Sequence, residues 1–335
     1  MAEPMTAPRP APPLLLADVG GTKARFALAL GDGSLADPLT LDCASFPDLT
    51  AAVLHYLDQA TAAGERPRRA AIAVAAPVTG DEVALTNHPW RFSIAELKQR
   101  LDLDRLVVIN DFAALALAVP RLTPDDRLPV GGGTPAEGEP IGVIGPGTGL
   151  GVAGLVPVPG GMQALATEGG HVTMAAADDR ESAVLAVLRQ RFGHASAERV
   201  LSGDGLVNLY QALATLERAP AEDLSPAKVG ARALGGGSPL CAEALDLFFA
   251  MLGTAAGNLA LTLGARGGIY VAGGIVPQYA ARFATSAFRQ RFEDKGRYRS
   301  YLAAIPSYLV IHPAPGFLGL EAALERDAME GSGDD

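Results

Sequence analysis

The chain has 335 residues, 49% of them hydrophobic and 19% charged, and its 27 basic and 37 acidic side chains give a net charge of −10. This length exceeds most single folding units, so we expect two domains with substantial cores. The acidic balance argues against a protein that binds nucleic acid or a membrane surface. Cys43 and Cys241 lie far apart without a CxxC pair, which argues against a disulfide framework or zinc ribbon and indicates a reducing, cytoplasmic compartment.

Both ends of the chain are predicted to be tails. Residues 1–13 are rich in proline and alanine, so we predict disorder there. The apolar run at residues 14–17 is too short for the core of a secretory signal. Residues 327–335 form an acidic tail. The most apolar stretch, residues 240–263, is interrupted by two acids and an asparagine, which argues against a membrane helix.

The first ordered stretch is predicted to be a β-hairpin with two glycines in its turn. An apolar strand over residues 14–17 ends at Asp18, and Gly20 and Gly21 follow. A second apolar strand covers residues 26–30. Backbone N–H groups in such a turn can hold phosphate, and an aspartate beside it can hold the metal ion that accompanies phosphate. A plain hairpin with nothing bound explains the same residues equally well.

The rest of the first domain alternates strands and helices. Strands are predicted at residues 39–44, 69–75, 82–85 and 106–109, and helices at residues 48–63, 93–100 and 112–119. Asp48 and Ser93 are the candidate caps of the first two helices. This alternation is typical of a mostly parallel or mixed sheet with helices packed on it. We therefore predict a small α/β domain over residues 14–119.

A second domain follows a segment rich in proline, glycine and acid at residues 120–139. It begins like the first, since PIGVIGPGTGLGVAGLV repeats the pattern of PLLLADVGGTKARFALA, which indicates a fold built twice from one unit. This larger domain is predicted to cover residues 120–315, with helices at 178–191, 204–218 and 239–264 and strands at 267–271 and 308–311. The last helix, residues 316–326, is predicted to return to the first domain.

Two glycine-rich stretches imitate a dinucleotide-binding fingerprint. Residues 149–154 (GLGVAG) match GxGxxG, and Glu168 follows about twenty residues later. In that fingerprint the glycines open a helix, whereas here a strand and a turn are predicted. Residues 31–36 (GDGSLA) fail the same test, so we predict no NAD binding. The sequence has no P-loop, and its five histidines show no zinc-ligand spacing.

Asn110 and Asp111 follow a buried strand and precede a helix. Asp111 would serve there simply as the helix N-cap. Alternatively, it is a carboxylate at the carboxyl edge of a sheet, where α/β proteins bind ligands, and acts as a general base toward a hydroxyl. Asn87, in the loop TNHPW, carries little information alone.

Three further segments each allow a structural and a functional interpretation. Glu168 and His171 in ATEGGHVTM belong either to a surface turn or to a site for the hydroxyls of a small neutral ligand. Glu198 is either a first-turn acid favoured by the helix dipole or a further polar ligand. Gly273 and Gly274 form either a strand-to-helix turn or a place where backbone approaches a base or ribose.

Together, these motifs resemble one family. The order DVGGT, TNH, ND, GPGTGLG, EGGH, ERVLSG and AGGI resembles the bacterial ATP-dependent glucokinases, in the hexokinase-like branch of the actin/sugar-kinase superfamily. The resemblance covers residues 14–324. It implies an α/β fold of two domains with duplicated actin/hexokinase-like (ribonuclease H-like) topology, mixed sheets flanked by helices, and an active site in the cleft between the domains. It also implies transfer of phosphate from ATP with Mg²⁺ to the 6-hydroxyl of glucose by a cytoplasmic homodimer.

The resemblance assigns a role to each motif residue. ATP contacts are implied for Ala17, Asp18, Val19, Gly20, Gly21, Thr22, Gly147, Thr148, Gly149, Gly273 and Gly274. Sugar contacts are implied for Asn87, Asn110, Asp111, Glu168, His171 and Glu198. By the same resemblance, Asp18 would hold Mg²⁺ through water, and Asp111 would be the catalytic base.

Two features depart from related families. Lys23 stands where the family usually has asparagine after GGT, which puts one detail of the phosphate contact in question. The cysteine-rich zinc motif of the related repressor and kinase sugar-binding group is absent.

The same motifs would also serve a kinase for another hexose, a kinase that uses polyphosphate, or a non-catalytic sugar or ATP sensor. The presence of both Asp18 and Asp111 argues against the sensor.

Overall fold

The computed structural model describes residues 12–60 and 66–330. They form two compact units. The first comprises the described residues up to Arg121 and from Ala314 onward, and the second runs from Leu122 to Pro313. Most of the predicted N-terminal tail lies outside the described residues.

The first unit contains a five-stranded mixed sheet in the order β3-β2-β1-β4-β7 and a separate pair, β5 and β6. The strands are β1 (Leu14–Val19), β2 (Lys23–Ala29), β3 (Leu35–Asp42), β4 (Arg69–Val74), β5 (Glu82–Ala84), β6 (Arg91–Ser93) and β7 (Arg105–Asn110). The helices are α1 (Leu49–Ala60), α2 (Ile94–Arg100) and α3 (Asp111–Ala118). β1 pairs antiparallel with β2, whereas β1, β4 and β7 run parallel.

The second unit contains a six-stranded sheet in the order β11-β10-β9-β12-β13-β8. Its strands are β8 (Arg127–Pro129), β9 (Ile141–Pro146), β10 (Leu150–Val158), β11 (Gly161–Thr167), β12 (Gly268–Val271) and β13 (Ser307–Val310). Its helices are α4 (Asp179–Phe192), α5 (Gly203–Leu216), α6 (Pro226–Leu234), α7 (Pro239–Leu263), α8 (Ala280–Ala284), α9 (Phe288–Glu293) and α10 (Arg299–Ala303). The final helix, α11 (Pro315–Glu330), belongs to the first unit.

The two sheets share one plan. In each, an antiparallel meander of three strands is followed by two strands that run parallel to its first strand. The duplication predicted from the sequence repeat is therefore confirmed at the level of strand order and direction. The stretch GLGVAG forms the end of a turn and the start of β10, which confirms the strand predicted there instead of a helix.

The alternation of side chains along β1 explains how its sheet is covered on both faces. Leu15, Ala17 and Val19 are buried in one core cluster, and Leu16 is buried in another. The second cluster also contains Phe317, Leu320 and Leu324 of α11. A central strand covered on both faces needs a continuous apolar run, which is the pattern that predicted it.

Several boundaries differ from the prediction. β3 begins at Leu35, earlier than expected, and both β6 and α6 were missed. α11 continues to Glu330, into residues assigned to the acidic tail. Arg105 accounts for the extra turn because it forms an ion pair with the Asp327 carboxylate and donates a hydrogen bond of 2.6 Å to its carbonyl oxygen.

Helix α7 is the one helix of the described residues that is long and apolar enough to cross a membrane. However, 67% of its most apolar stretch is buried inside the protein. Phe248, Phe249 and Leu252 belong to the main core cluster of the second unit. α7 is therefore a core helix.

Helix α11 packs so closely on α3 that a side chain at Gly319 would overlap the carbonyl oxygen of Ala114. We predict that Gly319→Ala lowers the free energy of unfolding by about 1–3 kcal/mol because the two helices must separate. Urea unfolding followed by circular dichroism measures the loss. Gly80→Ala is the control, since nothing lies within 4 Å of its Cβ position, and a loss of similar size there would contradict the packing explanation.

Candidate functional site

The first glycine turn joins β1 to β2 and consists of Gly20, Gly21 and Thr22. The Gly20 N–H donates to the carbonyl oxygen of Lys23 at 3.0 Å. Cys43 holds the turn by two hydrogen bonds. Its N–H donates to the carbonyl oxygen of Thr22 at 2.9 Å, and its thiol donates to the carbonyl oxygen of Gly20 at 3.5 Å. In the described part of the chain, the N–H groups of Gly21 and Thr22 have no hydrogen-bond partner. Two backbone donors are therefore available to an anion.

Asp18 is the penultimate residue of β1 and lies directly across from Arg25 on β2. The Arg25 guanidinium donates to Asp18 Oδ2 at 3.3 Å, and 29% of the Asp18 side chain is exposed. The first turn of α11 lies close by, since a Cβ at Gly316 would be 3.8 Å from the same oxygen. Burial raises the pKa of Asp18 above its ordinary value of 3.8, and the charge and hydrogen bond of Arg25 oppose that rise.

Asn87 packs directly against the first glycine turn. A Cβ at Gly21 would lie 3.0 Å from Asn87 Cβ and 3.1 Å from its carbonyl oxygen. The loop that carries Asn87 joins β5 to β6, and Leu85 N–H closes it by donating to the carbonyl oxygen of Trp90 at 3.1 Å. The loop between β5 and β6 is thus in contact with the turn between β1 and β2.

Asn110 and Asp111 lie at the junction of β7 and α3. The N-cap is Asn110, whose Oδ1 accepts from the N–H groups of Phe112 at 2.9 Å and Ala113 at 3.2 Å. The structural alternative for Asp111 as N-cap is therefore wrong, because Asp111 is the first helical residue. Its Oδ1 accepts from Phe112 N–H at 2.9 Å and from Asn110 Nδ2 at 3.1 Å.

The carboxyl ends of three parallel strands bring these groups of the first unit to one edge of its sheet. Val19 pairs with Val74, and Val74 pairs with Asn110. Neighbouring strands lie about 4.8 Å apart, so the backbone of Asn110 is about 10 Å from the residue that precedes Gly20. The glycine turn and the Asn110–Asp111 pair therefore share an edge, as the order of elements predicts for ligand groups of an α/β sheet.

The second glycine turn, Gly147 to Gly149, joins β9 to β10 in the second unit. Gly147 N–H donates to the carbonyl oxygen of Gly149 at 2.8 Å, and Gly203 at the start of α5 donates to the carbonyl oxygen of Gly147 at 2.9 Å. The N–H groups of Thr148 and Gly149 have no partner among the described residues. The first strand of the meander in each sheet thus ends in a turn with two available backbone donors.

The EGGH segment lies beside this second turn. Gly170 belongs to a short 3-10 turn, and a Cβ on it would overlap the carbonyl oxygen of Leu150. Glu168 and His171 flank it with 60% and 58% of their side chains exposed, and His171 Nε2 is 4.0 Å from Glu168 Oε2. Both polar side chains are therefore accessible to a ligand.

Glu198 connects these two segments. It lies in a turn before α5, whose N-cap is Ser202, so its interpretation as a first-turn helix acid is wrong. Its Oε2 accepts from Leu150 N–H at 3.0 Å, and its own N–H donates to the carbonyl oxygen of Gly170 at 2.9 Å. Ser202 Oγ donates to its carbonyl oxygen at 2.8 Å.

Gly273 and Gly274 follow β12, and Gly273 lies against the last residue of the neighbouring strand β9. Gly273 has φ +84°, and a Cβ on it would overlap the carbonyl oxygen of Pro146, so both backbone conformation and packing require glycine. Gly274 has nothing within 4 Å of its Cβ position. Only the second glycine therefore leaves open space where a flat ligand can approach.

Sequence reasoning missed the supporting contacts of three residues in the first unit. Arg25 was not singled out, although the hairpin register places it opposite Asp18 and opposite charges at paired positions attract. Cys43 carries no such signal because its contact with Gly20 joins segments far apart in the chain. Lys23, the unusual residue after the turn, pairs with Asp42 at 2.6 Å on the neighbouring strand.

The fold is shared with solved structures of sugar kinases. A glucokinase from an Antarctic psychrotroph has a TM-score of 0.84 and 38% identity, covering 94% of this chain and 99% of that one. A ROK family glucokinase from Streptomyces griseus, in complex with glucose and AMPPNP, has a TM-score of 0.61 over 94% and 99% of the chains, and its 17% identity shows the fold alone. The protein is therefore of the sugar-kinase class, with the predicted duplicated actin/hexokinase-like fold and mixed sheets flanked by helices.

Within that class, the chain belongs to the glucokinase family. The family model described as Glucokinase matches residues 15–327. The glucokinase of Paramagnetospirillum magneticum is 54% identical over 308 residues, which cover 92% of this chain and 96% of the relative. The resemblance drawn from the order of the motifs is confirmed.

The raised pKa of Asp18 predicts a change of stability with pH. The folded state holds the Asp18 proton more tightly than the unfolded state, so the free energy of unfolding falls as pH rises above 3.8 through the raised value. We expect Asp18→Asn to be more stable than the parent chain at neutral pH, because it carries no partly buried charge at this position. The difference should shrink in acid.

Urea unfolding at a series of pH values measures this difference. Asp223→Asn, at an exposed loop position, is the control for loss of one carboxylate. An Asp18→Asn variant that is less stable than the parent at neutral pH would show that the Arg25 contact outweighs the burial.

Proposed function

We propose that this protein transfers the γ-phosphoryl group of ATP to the 6-hydroxyl of glucose, giving glucose 6-phosphate and ADP. Membership of the glucokinase family over residues 15–327 carries the proposal, since the relative that is 54% identical is named for this activity. The more distant glucokinase that shares the fold was solved with glucose and an ATP analogue, which supports ATP as the donor.

Backbone groups in each unit are assigned to the nucleotide. Phosphoryl transfer requires charge on the phosphate oxygens to be stabilised, and the unpaired N–H groups of Gly21, Thr22, Thr148 and Gly149 supply suitable donors. Ala17, Val19, Gly20 and Gly147 are assigned as the remaining residues of these two nucleotide-binding segments. The open face of Gly274 beside Gly273 suits the flat adenosine end.

Asp18 is assigned to magnesium through water. Mg²⁺ binds oxygen ligands and keeps several waters, so it needs only one or two carboxylates beside substrate phosphate. Among residues 12–60 and 66–330, no group of three His, Cys, Asp or Glu side chains could enclose a metal ion. The single Asp18 carboxylate beside a turn with available donors fits an ion held mainly by water and phosphate. When bound, Mg²⁺ would supply charge neutralisation on the phosphate oxygens.

Side chains of both units are assigned to the sugar. Asn87 and Asn110 belong to the first unit, and Glu168, His171 and Glu198 belong to the second. A carboxylate accepts two hydroxyl donors at once, so the two glutamates suit a polyol. A sugar that lacks one of the matching hydroxyls would leave a carboxylate unpaired and bind less well.

Asp111 is assigned as the general base. Hydrogen bonds from Phe112 N–H and Asn110 Nδ2 to Oδ1 orient its carboxylate. The same residue would also hydrogen-bond the 6-hydroxyl whose proton it accepts. General-base catalysis of this kind contributes about 10²–10⁴-fold to the rate.

Replacement of the base tests this assignment. We expect Asp111→Asn to lower kcat by about 10²–10⁴-fold because the amide cannot accept the proton, while glucose still binds in calorimetric titration. Asp179→Asn is the matched control, since Asp179 is also the first residue of a helix but is exposed and lies outside the assigned site. A kcat near that of the parent enzyme would remove Asp111 from the catalytic role.

A panel of acceptors and donors tests the substrates. ADP or product release would be measured for glucose, mannose and fructose with ATP, and for glucose with polyphosphate. We expect the largest kcat/KM for glucose with ATP. A larger value for another hexose or for polyphosphate would reassign the substrate, and no turnover with any pair would favour a sugar sensor.

The assembly and location follow from the family resemblance. We propose a homodimer, which light scattering of the purified protein would test against a monomer mass of 34.4 kDa. A reducing, cytoplasmic location is supported by Cys43 and Cys241, which are both free thiols and both buried.

A further inference from the structure

Glu198 makes two contacts that join the second glycine turn to the EGGH segment. Its Oε2 accepts the Leu150 N–H, immediately after the turn, at 3.0 Å. Its backbone N–H donates to the carbonyl oxygen of Gly170 at 2.9 Å. One residue therefore fixes a segment assigned to the nucleotide against a segment assigned to the sugar.

Two glycines make this arrangement possible. A Cβ at Gly149 would overlap Glu198 Oε2, and a Cβ at Gly170 would overlap the carbonyl oxygen of Leu150. The carboxylate and both backbone segments therefore touch without any intervening side chain. A shift of any one of the three therefore alters its contacts with the others, because no gap between them can absorb the shift.

The second carboxylate oxygen of Glu198 has no hydrogen-bond partner within the part of the chain that the structure describes. A carboxylate accepts several donors at once, so a sugar hydroxyl can bind Oε1 while Oε2 keeps the Leu150 N–H. The one side chain can thus serve both substrates at the same time.

We infer that Glu198 is a positioning residue that couples the two substrates, so that sugar on Oε1 tightens nucleotide binding at the turn that Oε2 holds. The inference rests on the proposed function. Sugar binding restricts the rotamers of Glu198 and with them the Leu150 N–H, and a nucleotide that then binds needs less ordering of the turn. Coupling of this kind is reciprocal, so nucleotide tightens sugar binding by the same factor.

The coupling factor is the Kd of a non-hydrolysable ATP analogue without glucose divided by its Kd with saturating glucose, both measured calorimetrically in magnesium buffer. For the parent protein we expect a factor of about 5 or more, in the range typical of coupled sites. Gly149→Ala pushes the carboxylate off the Leu150 N–H, and Glu198→Ala removes it. We expect a factor below about 2 in both variants.

The matched comparator is Gly147→Ala, which adds the same methyl group to the same turn. Its Cβ would lie 3.9 Å from the nearest atom, the carbonyl oxygen of Gly149. Whatever this variant does to the affinities themselves, we expect the coupling factor of the parent protein. Titration of glucose with and without the analogue should return the same factor, because linkage requires the two couplings to be equal.

Three results would overturn the inference. These are a parent factor of 1, a parent-like factor in a folded Glu198→Ala or Gly149→Ala variant, or a lost factor in Gly147→Ala. Melting curves establish which variants are folded, and Glu198→Ala decides the question if Gly149→Ala does not fold. A parent protein that binds neither glucose nor the analogue would instead refute the proposed function, and the inference with it.

Discussion

Close packing against glycines, at positions where a side chain would not fit, is the constraint on which the candidate site depends. Gly21 lies against Asn87, and Gly149 lies against Glu198. Because no Cβ intervenes, a residue from a distant part of the chain packs directly on each turn. Two backbone N–H groups of each turn have no hydrogen-bond partner among the described residues. The residues that carry these amides are exposed or only partly buried, so an anion can reach the donors.

The two units place polar side chains near their glycine turns by different elements. In the first, the carboxyl ends of parallel strands supply the chemistry, and the cap formed by Asn110 orients Asp111 as the first residue of α3. In the second, Glu198 in the turn before α5 contacts the glycine turn from the side. Strand order is thus duplicated, whereas the polar groups have diverged, and a general base is assigned to one unit only.

Much of the fold could be predicted because the central strands are covered on both faces and appear as uninterrupted apolar runs. β6, with three residues, was missed because it buries too little to leave a pattern. α6 was missed although Ser225 caps it and Pro226 opens it. The motif residues were found by their order in the chain. The contacts of Glu198 with Leu150 and of Cys43 with Gly20 depend on tertiary packing between distant segments, which local pattern does not encode.

The position of α11 has a consequence for the synthesis of the chain. Phe317, Leu320 and Leu324 cover Leu16 and its neighbours on one face of the first sheet. A ribosome delivers these residues only after the whole second unit has been made. Until then, that face lacks the cover of α11, so the amino-terminal unit needs the end of the chain to complete its fold. It exposes apolar surface that chaperones can bind while translation continues.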